Sequence, residues 1–234
     1  MTLTSITQMK KAEMHFGHST RKWNPKMAPY IYIKKNGICI IDLIKTYYYI
    51  QAVNKFLTTA AMQGRKFLFV GTKKSASKLI KIAAHKCDSY FVNHRWLGGM
   101  LTNWETIKAS ISELNELEAQ EKNKEFESLP KKQAFFRKRR KEKLKKNLHG
   151  IQTMESLPDV VIIVGQLEEL NAVKECRKLN LRTVTILDTD CDPDLADLFV
   201  PANDDTSASV GCILQELTNA IVAGQEEYKK QKQI

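Results

Sequence analysis

Lys66-Phe-Leu-Phe-Val-Gly-Thr-Lys-Lys-Ser75 opens with a short apolar run, is closed by a glycine, and leads into helical spacing from Ser75 to Ala84. A run that never alternates with polar residues suits a strand covered on both faces, as in parallel sheets. The pattern recurs along the chain. Tyr90-Phe-Val92 is another short strand. Val160-Val-Ile-Ile-Val164 is a third, followed by a helix from about Glu168 to Lys178. Arg182-Thr-Val-Thr-Ile-Leu187 is a fourth, Leu198-Phe-Val200 is a last one, and Thr206 to Ala223 closes as helix. Alternating strands and helices imply an α/β fold, and the right-handed crossover rule makes the parallel sheet doubly wound.

Upstream of the first run, Tyr30 to Asp42 reads as a hairpin. Asn36-Gly37 supplies the two positive-φ positions of a tight turn between branched residues. Lys45 to Ala61 reads as a helix burying Ile50, Val53, Phe56, Leu57 and Ala60.

One region breaks the alternation. From about Asn103 to Leu148 there is no strand pattern. Its first half is acidic, from Glu113 to Glu127, and its second half is basic, from Lys131 to Lys146. Ile107, Ile111, Leu114 and Leu117 recur at helical spacing, and Pro130 suits a helix start. The expectation is an antiparallel helical hairpin at 105–148, acid facing base. It would be inserted into an α/β body made of 1–104, with its basic N-terminal segment, and 149–234.

The 234 residues are 43% hydrophobic and carry a formal net charge of +11. Such an excess suits a polyanion, since each cation that meets a phosphate releases a counterion. No stretch approaches the ~18 apolar residues of a membrane span. Met1 to Lys10 lacks the apolar core of a signal peptide and is poor in arginine for a transit peptide. The protein is therefore expected to work where it is made. Five scattered cysteines without a CxxC pair argue against a disulfide framework or a zinc ribbon.

Four constellations invite chemistry. His15-Phe-Gly-His18 is followed by Arg21, Lys22, Trp23, Asn24 and Lys26. Cations beside an aromatic and an amide fit phosphate contact with base stacking. A purely structural role, or a metal held by two histidines on one helical face, is the alternative. Gly71-Thr-Lys73-Lys74-Ser75 opens a helix, where an anion meets free backbone N–H groups. It lacks the first glycine of a nucleotide-binding P-loop. His94-Arg95-Trp96-Leu-Gly-Gly-Met-Leu-Thr-Asn103-Trp104 again interleaves cations, aromatics and glycines. There Trp96 can stack on a base or pack beneath the loop, and Thr102 or Asn103 can cap the next helix. Asp188-Thr-Asp-Cys-Asp-Pro-Asp194 follows a strand, so its carboxylates can hold magnesium or serve turns and caps. No nucleophile or base accompanies it, and the expectation is that Asp192 and Asp194 bond amides of their own turn.

Several of these stretches also carry a resemblance. His15 to Met27, Phe69 to Lys73, Arg95 to Asn103, Leu157-Pro-Asp159 leading through Cys191 to Asp194, and Pro201 to Asp205 resemble, in order, blocks of the small-subunit ribosomal protein S-two family. The likeness covers nearly the whole chain. It implies a flavodoxin-like body with an inserted helical hairpin, no catalysis and no cofactor. It also implies a place between head and body of the small subunit, against 16S-type rRNA and neighbouring ribosomal proteins. The family pattern differs at four positions: His149 stands for glycine, Gly165 for an acid, Asp190 for asparagine and Gly211 for arginine. The bacterial acidic C-terminal tail is not seen. Ala202 after Pro201 and the rich use of Lys, Asn, Ile and Tyr resemble a plastid-encoded form, which would work in the stroma.

Three functions compete: a ribosomal structural protein, a nucleotide- or phosphate-dependent enzyme on a Rossmann-like sheet, and a membrane-surface protein. The fold alone does not choose. An enzyme needs a complete phosphate loop or a nucleophile–base set, and neither is present. A membrane-surface helix needs a strong apolar stripe, and the basic half of the hairpin has a thin one.

Overall fold

The computed structural model describes residues 5–232. Met1–Thr4, part of the stretch read as lacking a signal core, lie outside the described residues, as do Gln233 and Ile234.

Helix α1 (Ile6–Lys11) starts at a Ser5/Gln8 capping box, in which each side chain accepts from the other's backbone N–H. Three strands follow, β1 (Phe16–Ser19), β2 (Ile31–Lys35) and β3 (Ile38–Ile41), as a small antiparallel sheet in the order β1-β3-β2. The β2–β3 turn has Asn36 at φ 52° and Gly37 at φ 77°, both left-handed as the Asn-Gly pair requires. Strand β1 was not legible as one: four residues around Gly17 carry little pattern of their own. Pairing with β3 and a bulge between Phe16 and Ser19 make it a strand. His15 and His18 therefore do not share the face of a helix.

Helix α2 (Leu43–Met62) is capped by Asp42, whose Oδ1 accepts from Ile44 N at 2.9 Å. Then come β4 (Phe67–Val70), α3 (Lys74–Lys86), β5 (Tyr90–Val92), α4 (Trp104–Lys122), α5 (Lys131–Leu148), β6 (Val160–Val164), α6 (Leu170–Lys178), β7 (Arg182–Leu187), β8 (Leu198–Pro201) and α7 (Ser207–Lys232). The five later strands form one parallel sheet in the order β5-β4-β6-β7-β8. That is the flavodoxin-like order, in which ligands meet the carboxyl edge of the strands.

Alternate strand residues feed two apolar layers. Phe67, Phe69, Val160, Ile162 and Val164 face α2, α3 and α7, joining Ile50, Leu57, Ile80, Ile213 and Leu217. Leu68, Val70, Val161 and Ile163 face the other way, onto Ala172, Val173 and Cys176 of α6. All of β4 and β6 is buried. Each such side chain contributes roughly 1.5–3 kcal/mol of transfer free energy. The continuous apolar runs have this cause.

The hairpin is α4 and α5, joined by acid–base pairs. Arg140 Nη2 lies 2.7 Å from Glu113, Lys145 Nζ lies 2.9 Å from Glu118, and Lys141 pairs with Glu121. Its seam of Ile107, Ile111, Leu114, Leu117, Leu144 and Leu148 is continuous with the second apolar layer of the sheet. Helix α7 runs past the expected end at Ala223. Gly224 does not stop it, because that glycine is where α7 meets α2: an added Cβ would lie 2.4 Å from Thr58 O.

Candidate nucleic-acid interface

The carboxyl edge of the sheet gathers three of the basic stretches. Gly71–Lys74 leaves β4, His94 and Arg95 leave the neighbouring β5, and the segment from His18 to Lys26 is bound to the loop after β7. That binding runs through several contacts. His18 N donates to Thr189 Oγ1 at 2.9 Å, and Asn24 N donates to Thr189 O at 2.7 Å. Lys26 Nζ lies 2.8 Å from Asp192 and 2.7 Å from Asp194. A Cβ on Gly17 would lie 2.5 Å from Thr189 Cγ2, so glycine allows the approach.

The acidic loop is thus neutralised from within. Asp192 Oδ1 accepts from Asp194 N at 3.0 Å, as expected of a turn, while the Asp194 carboxylate pairs with Lys26 instead of an amide of its turn. The bond from Lys26 holds the Asp192 carboxyl below its ordinary range. His18 Nδ1 lies 3.1 Å from Asp188, and its Nε2 lies 3.6 Å from Asp190 and 3.4 Å from Asp205. The Asp188 contact, against the opposing effect of burial, pushes the His18 imidazole up to about 9. His18, Asp188 and Asp205 offer ligand atoms within 4.8 Å of one another, and a protonated imidazole already supplies their positive charge. His15 differs in charge: burial, helped by Lys10, lowers its imidazole, and its Nδ1, buried like that of His18 without a well-aligned hydrogen bond, has no carboxylate beside it to match the Asp188 contact of His18.

Lys73 is not a free cation. Its ammonium sits 2.6 Å from Asp204, 2.9 Å from Asp205 and 3.3 Å from Glu168. Burial alone would pull its proton affinity down, but the bond to Asp204 and the neighbouring carboxylates raise it. Burial raises the Asp204 carboxyl, and Lys73 opposes that shift. The helix start after Gly71 is likewise partly occupied, since Thr72 N donates to buried Glu169 at 2.8 Å. Lys74 is exposed, with no ion pair among the described residues.

The glycine-rich loop has its own anion. Glu175 accepts from Trp96 Nε1 at 3.0 Å, Gly99 N at 2.8 Å, Leu101 N at 2.9 Å and Thr102 N at 3.1 Å. These bonds outweigh burial and hold its carboxyl below the ordinary value. Trp96 is buried and packs beneath the loop, the second of its two expected roles. Arg95 stays exposed. Asn103 is the N-cap of α4 without a side-chain cap bond, and its Oδ1 accepts from Thr106 Oγ1 at 2.8 Å.

Of the remaining residues, Arg21 and Lys22 are exposed and unpaired among the described residues. Trp23 lies under Lys34, whose Nζ is 3.3 Å from the ring centroid. Asn24 Oδ1 caps the following 3-10 turn through Lys26 N. The structure therefore sorts the candidates. Arg21, Lys22, Lys74 and Arg95 present charge outward at one edge, while His18, Lys26, Lys73 and Trp96 hold the loops of that edge in place. Glu169 and Glu175, which do much of that holding, were not singled out from the sequence. The local sign of Glu175 is a carboxylate adjoining the apolar face of α6 at Ala172, Val173 and Cys176.

The sequence profile of the family described as "Ribosomal protein S2" matches residues 9–224. The chain belongs to the ribosomal protein S2 family. A relative named "Small ribosomal subunit protein uS2c", from Oltmannsiellopsis viridis, is 56% identical over 98% of this chain and 96% of its own length. One of the same name from Trieres chinensis is 50% identical over 94% and 96%. "Small ribosomal subunit protein uS2" from Trichormus variabilis is 48% identical over 98% and 89%. Membership in the S2 family makes this a ribosomal structural protein and sets aside the enzyme reading.

Proposed function

We propose that this S2-family chain is a structural constituent of the small subunit of a plastid ribosome, made and used in the stroma. It binds 16S-type rRNA between head and body through the carboxyl edge of its sheet. The observation that carries the rRNA contact is the set Arg21, Lys22, Lys74 and Arg95: four exposed cations at one edge, none engaged by a carboxylate of the described residues. Cations already paired release no counterions on meeting phosphate, whereas unpaired ones do. The family membership supports the assembly, and the algal relatives support the plastid compartment. Neighbouring small-subunit proteins are the remaining partners. No helix of the described residues is long and apolar enough to cross a membrane.

The test is sedimentation of the tagged protein with plastid small subunits, joined to crosslinking from single positions. Crosslinkers at 74 and 95 should reach rRNA, and one at 192 should not. Efficient crosslinks from 192 alone would place the RNA on the acidic loop instead.

A further inference from the structure

At the root of the hairpin, where the β5 end of that edge meets α5, lies a cavity of about 260 Å³. It opens between α3, the end of β5 and the end of α5. Lys81, His94, Lys146 and His149 line it, with the side-chain amides of Asn93 and Asn147. No carboxylate lines it. Of its three lining lysines, Lys145 is held by Glu118 at 2.9 Å, whereas Lys81 and Lys146 have no acid partner among the described residues. The wall is tightly built. Gly150 presses on β5, where an added Cβ would stand 2.0 Å from Phe91 O, and the His149 ring meets Phe91 edge-on with centroids 6.2 Å apart.

The cavity does not stand alone. Lys132, Phe136, Arg139, Lys143 and Lys146 follow one another on α5 at steps of four, three, four and three, so they share one helix face. All five are exposed, and Phe136 keeps 56% of its surface in solvent. The acid–base pairs of the hairpin use Arg140, Lys141 and Lys145 instead. The shared face therefore carries unpaired cations and an open aromatic ring, and its last lysine lines the cavity.

We propose that this cavity seats a phosphate of an RNA strand that runs along the outer face of α5. The proposal rests on the rRNA-binding reading and adds a second contact site to it. Lys81 and Lys146 supply the countercharge. The imidazole N–H groups of His94 and His149, the amide of Asn147 and the second N–H of the Asn93 amide, whose Nδ2 already donates to Ser77 O at 3.1 Å, supply donors for phosphate oxygens or a 2′-hydroxyl. Phe136 offers a stacking surface to an unpaired base. The volume is below the ~300–1,000 Å³ of pockets that enclose a drug-sized ligand, so a phosphodiester with part of its sugar fits better than a whole cofactor.

The test uses the full chain and measures binding to transcribed small-subunit rRNA and to an oligouridylate across a salt series. Lys81→Ala with Lys146→Ala should weaken binding roughly tenfold at about 0.1 M salt, and lower the salt slope by about 0.7 for each lysine. A charge-matched pair on α2 and α7, Lys55→Ala with Lys230→Ala, should leave the slope unchanged. Lys81→Gln with Lys146→Gln repeats the experiment should the alanine pair lower the melting temperature. An equal effect of both pairs would reduce the site to bulk charge and overturn it. So would saturation of the His149 imidazole resonances by inorganic phosphate with RNA affinity unaffected, which would indicate a free-phosphate site. Loss of binding to anionic phospholipid vesicles in place of RNA would make the α5 face a membrane surface. Wild-type protein that fails to sediment with small subunits would count against the ribosomal reading, whereas an unchanged slope with normal sedimentation would count against the cavity alone.

Discussion

Glu175 accepts the indole N–H of Trp96 at 3.0 Å while its carboxylate also takes three backbone N–H groups of the same loop. One side chain of α6 therefore shapes the turn that presents Arg95. The Thr102 hydroxyl also donates to Glu175, at 3.2 Å, so truncation as Glu175→Ala leaves five donors to find water in a half-buried site. Charge-assisted bonds contribute about 1.5–3 kcal/mol each in isolation but share one carboxylate here, so a loss of about 3 kcal/mol is expected. Urea unfolding measures it, and Trp96 fluorescence should shift to the red. A loss below about 0.5 kcal/mol would show that the glycines set the loop without help.

The His18 ion pair predicts a pH dependence of definite sign. Its imidazole is held at about 9 against an ordinary 6.5. A group raised on folding stabilises fully below its unfolded value, and loses that contribution as pH climbs through the folded one. The protein should thus weaken between about pH 6.5 and pH 9, by roughly 2 kcal/mol once partial exposure is discounted. Denaturation midpoints of the wild type should slope downward over that window, and those of His18→Asn should not. Parallel curves would mean that Asp188 is satisfied without the imidazolium.

Among the basic residues of the N-terminal segment, a division of labour is expected. Replacing Arg21, Lys22 and Lys26 together with alanine should impair incorporation into the subunit, increasingly with salt. Arg21→Ala with Lys22→Ala should reproduce most of that loss, because Lys26 is committed to Asp192 and Asp194. Lys26→Ala alone should change stability little, as exposed ion pairs do. Sedimentation at two salt concentrations checks this, and a dominant effect of Lys26 would reverse the assignment.

Purified protein should neither bind nor hydrolyse ATP or GTP. The lysine nearest in position to that of a phosphate loop, Lys73, is already bound by Asp204, Asp205 and Glu168. Lys73→Ala should lower the unfolding free energy by about 3 kcal/mol or more, since it strands the buried Asp204. Stoichiometric nucleotide binding that vanishes in Lys73→Ala would refute this.

Excising Ala109 to Asn147 and joining the ends with a short glycine linker tests whether 105–148 is an arm apart from the body. We expect a body that still unfolds cooperatively, since loop closure costs little. Its midpoint should fall, because Ile111, Leu114, Leu117 and Leu144 extend the second apolar layer of the sheet. A broad, uncooperative transition would mean that the hairpin completes the core.

The parallel strands were readable because burial on both faces forces an unbroken apolar run, as in Val160–Val164. The hairpin was readable from its three-four spacing and its opposed charges. Strand β1 was not, since its pairing with β3 and its closeness to Thr189 come from distant chain. The same holds for the site. Clusters of cations mark the stretches that approach RNA, but local sequence does not say which cations a carboxylate will capture. Lys26 and Asp192 are 166 residues apart, and Lys73 and Asp204 are 131 apart. Nor does it reveal that Glu169 and Glu175 occupy amides that would otherwise be open to phosphate.

The anchoring of the His18–Lys26 segment to the loop after β7 also orders events at birth. A chain emerging from the ribosome folds from its N-terminus as sequence becomes available. Here the first basic segment cannot close until Asp188, Thr189, Asp192 and Asp205 have been synthesised. For most of translation its cations stand exposed, and a nascent chain still short of β7 can meet nucleic acid before it meets its own carboxylates. Completion of the last strands then acts as a maturation step, pairing His18 and Lys26 with carboxylates and leaving Arg21 and Lys22 unpaired among the described residues.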